Sequence, residues 1–93
     1  MERMTRRTGP DGRATVDGSH VVRDGGNAGG DAVERLARFE DAVDELLAEQ
    51  ADATRQLERL RGEGRSKSVR FRELMGRKLT DQYLLVLLAR HGI

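Results

Sequence analysis

Residues 31–61 read DAVERLARFEDAVDELLAEQADATRQLERLR, a run without glycine or proline. Asp31 stands at its start with Glu34 three residues later, an acidic version of the helix capping box. Carboxylates in the first turn also stabilise a helix, because they interact favourably with the positive end of its dipole. Because Gly62 and Gly64 follow directly, the sequence predicts one long α-helix over 31–61.

The apolar residues of this helix recur with heptad spacing. The two core positions of the repeat hold Leu36, Val43, Gln50 and Leu57, and Ala32, Phe39, Leu46, Ala53 and Leu60. Val33 and Leu47 widen the apolar stripe, so the pattern suits a helical hairpin or a bundle as well as a two-stranded coiled coil. We favour pairing with a helix of another chain over packing on the chain's own C-terminal helices.

Residues 62–93 predict two short helices. The first carries apolar side chains at helical spacing behind a serine cap, Ser66 or Ser68. Its apolar residues are Phe71, Leu74, Met75 and Leu79. The second begins at a Thr80 cap and stops at Gly92. The expected fold is therefore all-α: a long amphipathic, coiled-coil-like helix followed by a short helical hairpin.

The last of these helices contains the run YLLVLLA at 83–89. Since an α-helix turns by about 100° per residue, this run covers every face of the helix and not one stripe. It is far shorter than the roughly 20 apolar residues that cross a bilayer, so we expect no membrane insertion. Burial against a second copy or a partner protein is expected instead.

The chain has few apolar side chains with which to bury such a helix. The whole chain has 93 residues, of which 37% are apolar and 3% aromatic. A core of this size seldom contributes more than about 3–5 kcal/mol and usually needs disulfides, a metal or oligomerisation. The chain has no cysteine, and His20 and His91 lie far apart without ligand spacing. We therefore expect no metal or other cofactor. Of the three ways to stabilise a small core, oligomerisation is the one that remains.

Residues 1–30 are expected to form a disordered arm rich in glycine and arginine. They hold most of the eleven glycines and few large apolar side chains, too few to offset the entropy of ordering. The alternative is a β-hairpin that turns at the Asp-Gly pair of 17–18, between β-prone stretches at 14–16 and 20–22. An isolated hairpin is marginal in water. Residues 25–30 predict a flexible joint.

Charge is distributed unevenly along a chain whose formal net charge is +1. Residues 31–60 carry nine acidic side chains against four arginines, and residues 61–93 carry eight basic against three acidic. The basic cluster consists of Arg65, Lys67, Arg70, Arg72, Arg77 and Lys78. Such a cluster suits a phosphate backbone. The competing interpretation is pairing with the acidic helix of the same or a neighbouring chain.

Catalytic motifs are not evident. The Lys67-Ser68 pair lacks the spacing and the preceding strand of a phosphate-binding loop, and segment 71–88 matches a DNA-reading helix-turn-helix poorly. Neither histidine has a nucleophile or an acid at motif spacing. We expect a protein that is not an enzyme, and no small-molecule substrate is inferred.

The sequence predicts a small helical protein-interaction or assembly module, either a homo-oligomer or the partner of another helix. The residues expected to carry association are Leu36, Phe39, Val43, Leu46, Leu57, Leu60, Leu84, Leu85 and Leu88. The alternative is a nucleic-acid-binding regulator that uses the basic segment 61–78, with further charge from Arg6, Arg7 and Arg13. Without a secretory apolar run or any cysteine, a cytoplasmic location is expected.

Overall fold

A computed structural model describes residues 1–23, 25–26 and 30–93. Its elements are strands β1 (Thr5–Thr8) and β2 (Arg13–Val16), a 3-10 helix (Gly18–His20), and helices α1 (Gly30–Gly62) and α2 (Val69–Arg90). The chain divides into two compact units, unit 1 (Met1–Val43) and unit 2 (Asp44–Ile93). The N-terminal part of α1 belongs to unit 1, and its C-terminal part belongs to unit 2.

The chain is mostly helical, as the sequence predicts, but an all-α description is incomplete. β1 and β2 form a two-stranded antiparallel sheet in which Thr5 pairs with Val16 and Thr8 with Arg13. The prediction of disorder is therefore wrong for this part of the N-terminal arm. Of the flexible joint predicted for 25–30, residues 27–29 lie outside the part of the chain that the structure describes.

The hairpin turns at residues 9–12, so the alternative prediction of a hairpin turn at residues 17–18 is wrong. The Gly12 amide donates to the Gly9 carbonyl at 3.3 Å, and these glycines have φ values of 67° and 76°, a region that residues with a Cβ rarely adopt. Pro10 follows Gly9, and its ring fixes its own φ at a value that suits the second position of a turn. Asp17 instead caps the 3-10 helix by accepting from the Ser19 amide at 2.8 Å.

The connection between the helices is shaped by a glycine and a serine. Gly64 has a φ of 72°, and the Arg65 amide donates to the Leu60 carbonyl at 2.7 Å, as in a Schellman motif. Ser68 then caps α2, because its hydroxyl oxygen accepts from the Phe71 amide at 3.2 Å. The chain is thereby turned so that α2 packs against α1.

Helix α2 is continuous, where the sequence predicts a helical hairpin. Thr80 lies inside α2, and its hydroxyl donates to the Gly76 carbonyl at 3.0 Å. Gly76 weakens a helix but does not have a positive φ here. Neither residue interrupts the backbone ladder, so the prediction of two helices is wrong. The helix stops beside Gly92, whose φ is 78°.

Helix α1 contributes buried residues to both units. In unit 2 the core consists of Ala53, Leu57, Leu60 and Leu74, with Phe71 and Met75 partly buried against it. In unit 1 the buried α1 residues are Ala37, Glu40 and Val43. The heptad spacing does not include Ala37 or Glu40, because it could not anticipate the sheet that contacts this side of α1.

Candidate functional site

The candidate site is the outer side of α2 in its C-terminal half. Leu79, Tyr83, Val86 and Leu87 recur at helical spacing and lie on one side of the helix, with Leu84 at its border. Their exposed fractions are 59%, 62%, 44% and 36%, and that of Leu84 is 38%. We call these five residues the outward stripe.

The opposite side of α2 faces the core of unit 2. Leu74, Asp81 and Leu88 follow one another at intervals of seven residues, so they share this side. Leu74 and Asp81 are buried, and Leu85 and Leu88 are partly buried. The apolar run 83–89 therefore has one side turned to the core and the other side exposed.

The residues predicted for association lie in three settings. Val43, Leu57 and Leu60 are buried; Leu36, Phe39, Leu46, Leu85 and Leu88 are partly buried; and Leu84 is exposed. Of this set only Leu84 belongs to the outward stripe. Sequence reasoning missed the other four stripe residues because an all-round apolar run does not indicate which side faces the core. Asp81 made the distinction harder, since a carboxylate is normally a sign of the solvent side.

The basic segment is largely open to solvent. Arg65, Lys67, Arg70, Arg72 and Arg77 are exposed, and Lys78 is partly buried. Arg65 and Arg70 pair with nearby glutamates of the same segment at 3.7 Å. Lys67, Arg72 and Arg77 form no ion pair with any residue in the described ranges. Three unpaired cations thus remain available for an external anion.

Three acidic side chains of α1 in unit 1, Glu34, Glu40 and Asp41, form ion pairs with Arg3 or Arg7. Asp41 accepts hydrogen bonds from the guanidinium groups of Arg3 at 2.9 Å and Arg7 at 2.8 Å. Between α1 and α2, Arg70 donates to the Gln56 side-chain oxygen at 3.2 Å. Arginines of the hairpin, and not those of the basic segment, therefore neutralise this part of the acidic helix.

Glu40 fastens β1 to α1 through a buried carboxylate. Its side chain accepts from the Met4 amide at 2.5 Å, from the Thr5 amide at 3.1 Å and from the Thr5 hydroxyl. Burial raises the pKa of Glu40, but the hydrogen bonds from Thr5 and Met4 outweigh it, so this pKa lies below its ordinary value. Glu34 contacts the other strand by accepting from the Ala14 amide at 2.7 Å.

Within residues 1–23, 25–26 and 30–93, no group of three or more histidine, aspartate or glutamate side chains is placed to hold a metal ion. No helix in the described part of the chain combines the length and the apolar character needed to cross a bilayer. Comparisons with protein-family models, with curated proteins and with solved structures gave no match.

Proposed function

We propose that the protein is a helical interaction module that self-associates through the outward stripe of α2. The observation that carries this proposal is the exposure of large apolar side chains on one side of a regular helix, Tyr83 at 62% and Leu79 at 59% among them. Contiguous apolar patches of this kind on small proteins mark interaction surfaces. The heptad core positions of α1 do not form the interface in this proposal, because Ala53, Leu57 and Leu60 are already buried in unit 2.

The energy available from the stripe is of the right order for association. Fully burying one leucine or valine side chain contributes about 1.5–3 kcal/mol, and close to half of each stripe residue is still exposed, so five residues offer roughly 4–7 kcal/mol per chain. Association of two molecules costs about 4–15 kcal/mol. The stripe therefore supports association when both copies bury it, and tight assembly requires further contacts.

Sedimentation equilibrium of the full chain tests this proposal. We expect wild type to self-associate at micromolar concentration and the double variant Leu79→Asp/Val86→Asp to be monomeric, because two carboxylates would be buried in the interface. Val69→Asp is the matched control, since Val69 is 69% exposed on the same helix outside the stripe.

Circular dichroism of each variant separates loss of association from loss of folding. The stripe variant should keep its helical signal, because its substituted side chains are exposed in the single chain. A wild-type protein that stays monomeric up to about 100 μM would contradict self-association, since that concentration exceeds the dissociation constant of a micromolar complex.

A second candidate function is binding to a nucleic-acid backbone. Lys67, Arg72 and Arg77 favour it because they are exposed and lack ion pairs among the described residues. Neutralising three phosphates predicts a slope of about −2.7 for log K against log salt, or roughly a 40-fold loss of affinity for duplex DNA between 50 and 200 mM. Fluorescence anisotropy with a labelled duplex measures this, and absence of binding at low salt would eliminate this function.

A further inference from the structure

We infer that the outward stripe of α2 receives the acidic outer side of α1 from a second copy of the chain, and not a second outward stripe. The inference rests on the proposed function, because it names the surface that the stripe meets. It depends on the unpaired charges around both surfaces and on the sizes of the side chains between them.

Unpaired cations surround the stripe. Arg72 precedes Leu79 by seven residues and Arg90 follows Tyr83 by seven, so both arginines lie on the side of the stripe. Arg72 and Arg90 form no ion pair within the described part of the chain. Two stripes packed against each other would bring these arginines from both copies together, and like charges at short range repel.

Helix α2 has no free exposed acid to relieve that repulsion. Glu73 is exposed but pairs with Arg70 at 3.7 Å. Asp81 is buried on the core-facing side and cannot reach the stripe. The charges of α2 therefore favour an acidic partner surface over a copy of itself.

The outer side of α1 in unit 2 has the complementary character. Residues 44–52 carry four acidic side chains and no lysine or arginine. Glu45 and Glu49 are exposed and form no ion pair with any residue that the structure describes. Ala48 follows Glu45 by three residues and is exposed beside it, and this small side chain leaves room for larger ones.

Side-chain size fits the same arrangement. Leucine, valine and tyrosine side chains of the stripe would pack over Ala48. Ala51 and Leu47, which is 41% exposed, continue the apolar surface on the side of α1 away from the glutamates. The stripe lies on the side of α2 away from the core, and Ala48 and Glu45 lie on the side of α1 away from it. The contact therefore joins copies head to tail, and the α1 surface supplies the further area that the stripe alone lacks.

A charge-swap experiment on the full chain tests the inference. The first variant is Arg72→Glu/Arg90→Glu, and the second is Glu45→Lys/Glu49→Lys. We expect each variant alone to weaken self-association about tenfold or more, because like charges then meet at the contact. An equimolar mixture should recover wild-type affinity, since each contact between unlike variants joins opposite charges.

Sedimentation velocity with one labelled variant measures these affinities, and circular dichroism checks folding. The double variant Glu2→Lys/Glu63→Lys is the matched control, because it makes the same charge change at exposed acids outside residues 44–52. It should associate like wild type.

The inference and the proposed function fail in different ways. If wild type is monomeric, self-association itself is wrong. If wild type self-associates but the Glu45→Lys/Glu49→Lys variant associates equally well, the stripe meets another surface and the inference is overturned. The inference is also overturned if the arginine variant loses duplex DNA binding while its self-association is unchanged, because the cations then serve nucleic acid.

Discussion

Asp81 is a carboxylate on the core-facing side of α2, at a position where an apolar side chain would pack. It is 6% exposed, and its Oδ2 atom has no hydrogen-bond partner among the described residues. A buried polar atom without a partner costs free energy. Leu74 and Leu88 lie seven residues before and after it on the same side of the helix, so the surroundings of Asp81 suit an apolar side chain.

Asp81→Leu should therefore raise the free energy of unfolding by about 1–3 kcal/mol, because it removes an unsatisfied buried carboxylate. Urea unfolding followed by circular dichroism measures the change at a concentration where the chain is monomeric. Asp81→Asn is the control, since it keeps two polar atoms and should gain less. A loss of stability in Asp81→Leu would show that the carboxylate has a partner in solution.

At the scale of the elements, the hairpin is held on α1 by carboxylates more than by apolar burial. Glu40 accepts from the amides of Met4 and Thr5, and Asp41 accepts from Arg7 and Arg3. Hydrogen bonds from Arg7 and Arg3 lower the pKa of Asp41. Because the pKa values of both Glu40 and Asp41 are depressed in the folded chain, their protonation weakens attachment of the hairpin.

Acid should release the hairpin while α1 and α2 remain helical. A carboxyl whose folded pKa is depressed contributes its full stability above the ordinary value of about 4, and this contribution is lost as the pH falls below that value toward the folded pKa. NMR titration of the Met4 and Thr5 amides from pH 7 to pH 2 should show this transition.

Glu40→Gln provides the control for the titration of these amides. The neutral amide side chain cannot titrate, so the transition at Thr5 should shrink to the part that Asp41 causes, and the hairpin should be less protected from hydrogen exchange at pH 7. A transition of the Thr5 amide above the ordinary carboxyl pKa would contradict a depressed pKa for Glu40.

At the scale of the whole molecule, the polar contacts that hold the hairpin on α1 lie in unit 1, and the exposed apolar side chains of the outward stripe lie in unit 2. Unit 1 uses carboxylates and arginines to hold a sheet that has little apolar area, whereas unit 2 buries a small apolar core and exposes the outward stripe. The largest exposed fraction in that stripe belongs to Tyr83, and the chain has one tyrosine and no tryptophan. Its fluorescence therefore reports on this one position.

Self-association should protect Tyr83 from solvent. Acrylamide quenching of its fluorescence should fall about twofold as the protein concentration rises from roughly 1 to 100 μM, because association by mass action buries the ring. The Leu79→Asp/Val86→Asp variant should show no such dependence. If quenching in wild type is also independent of concentration while sedimentation shows oligomers, then assembly uses a surface other than the stripe.

The helical segments and the glycines at which they end can be predicted from neighbouring residues. An uninterrupted run of good helix formers between Asp31 and Gly62 needs no tertiary partner to be recognised, and α1 spans Gly30–Gly62. Gly92 is expected to end the last helix because a residue without a Cβ accepts a positive φ, and its φ is 78°. The predominantly helical fold could be predicted from the sequence for this reason.

Thr80 shows the limit of local reasoning about helices. A threonine followed by an aspartate has the composition of a helix start, yet the same hydroxyl donates to the Gly76 carbonyl inside one continuous helix. Local residue preferences do not distinguish a threonine hydroxyl that caps a helix from one that bonds to a carbonyl within it. The length of α2 therefore cannot be predicted from this segment.

The sheet and the exposed side of α2 depend on residues distant in sequence. The carboxylate of Glu40 reaches Thr5 across 35 positions, so a count of apolar residues in the arm could not reveal that this hairpin is ordered. Likewise, periodicity shows that 83–89 is apolar all round, but only the packing of Leu74 on Leu57 and Leu60 identifies the covered side. Helix formation and turn geometry follow from neighbouring residues, whereas burial follows from contacts between distant segments, which local patterns do not specify.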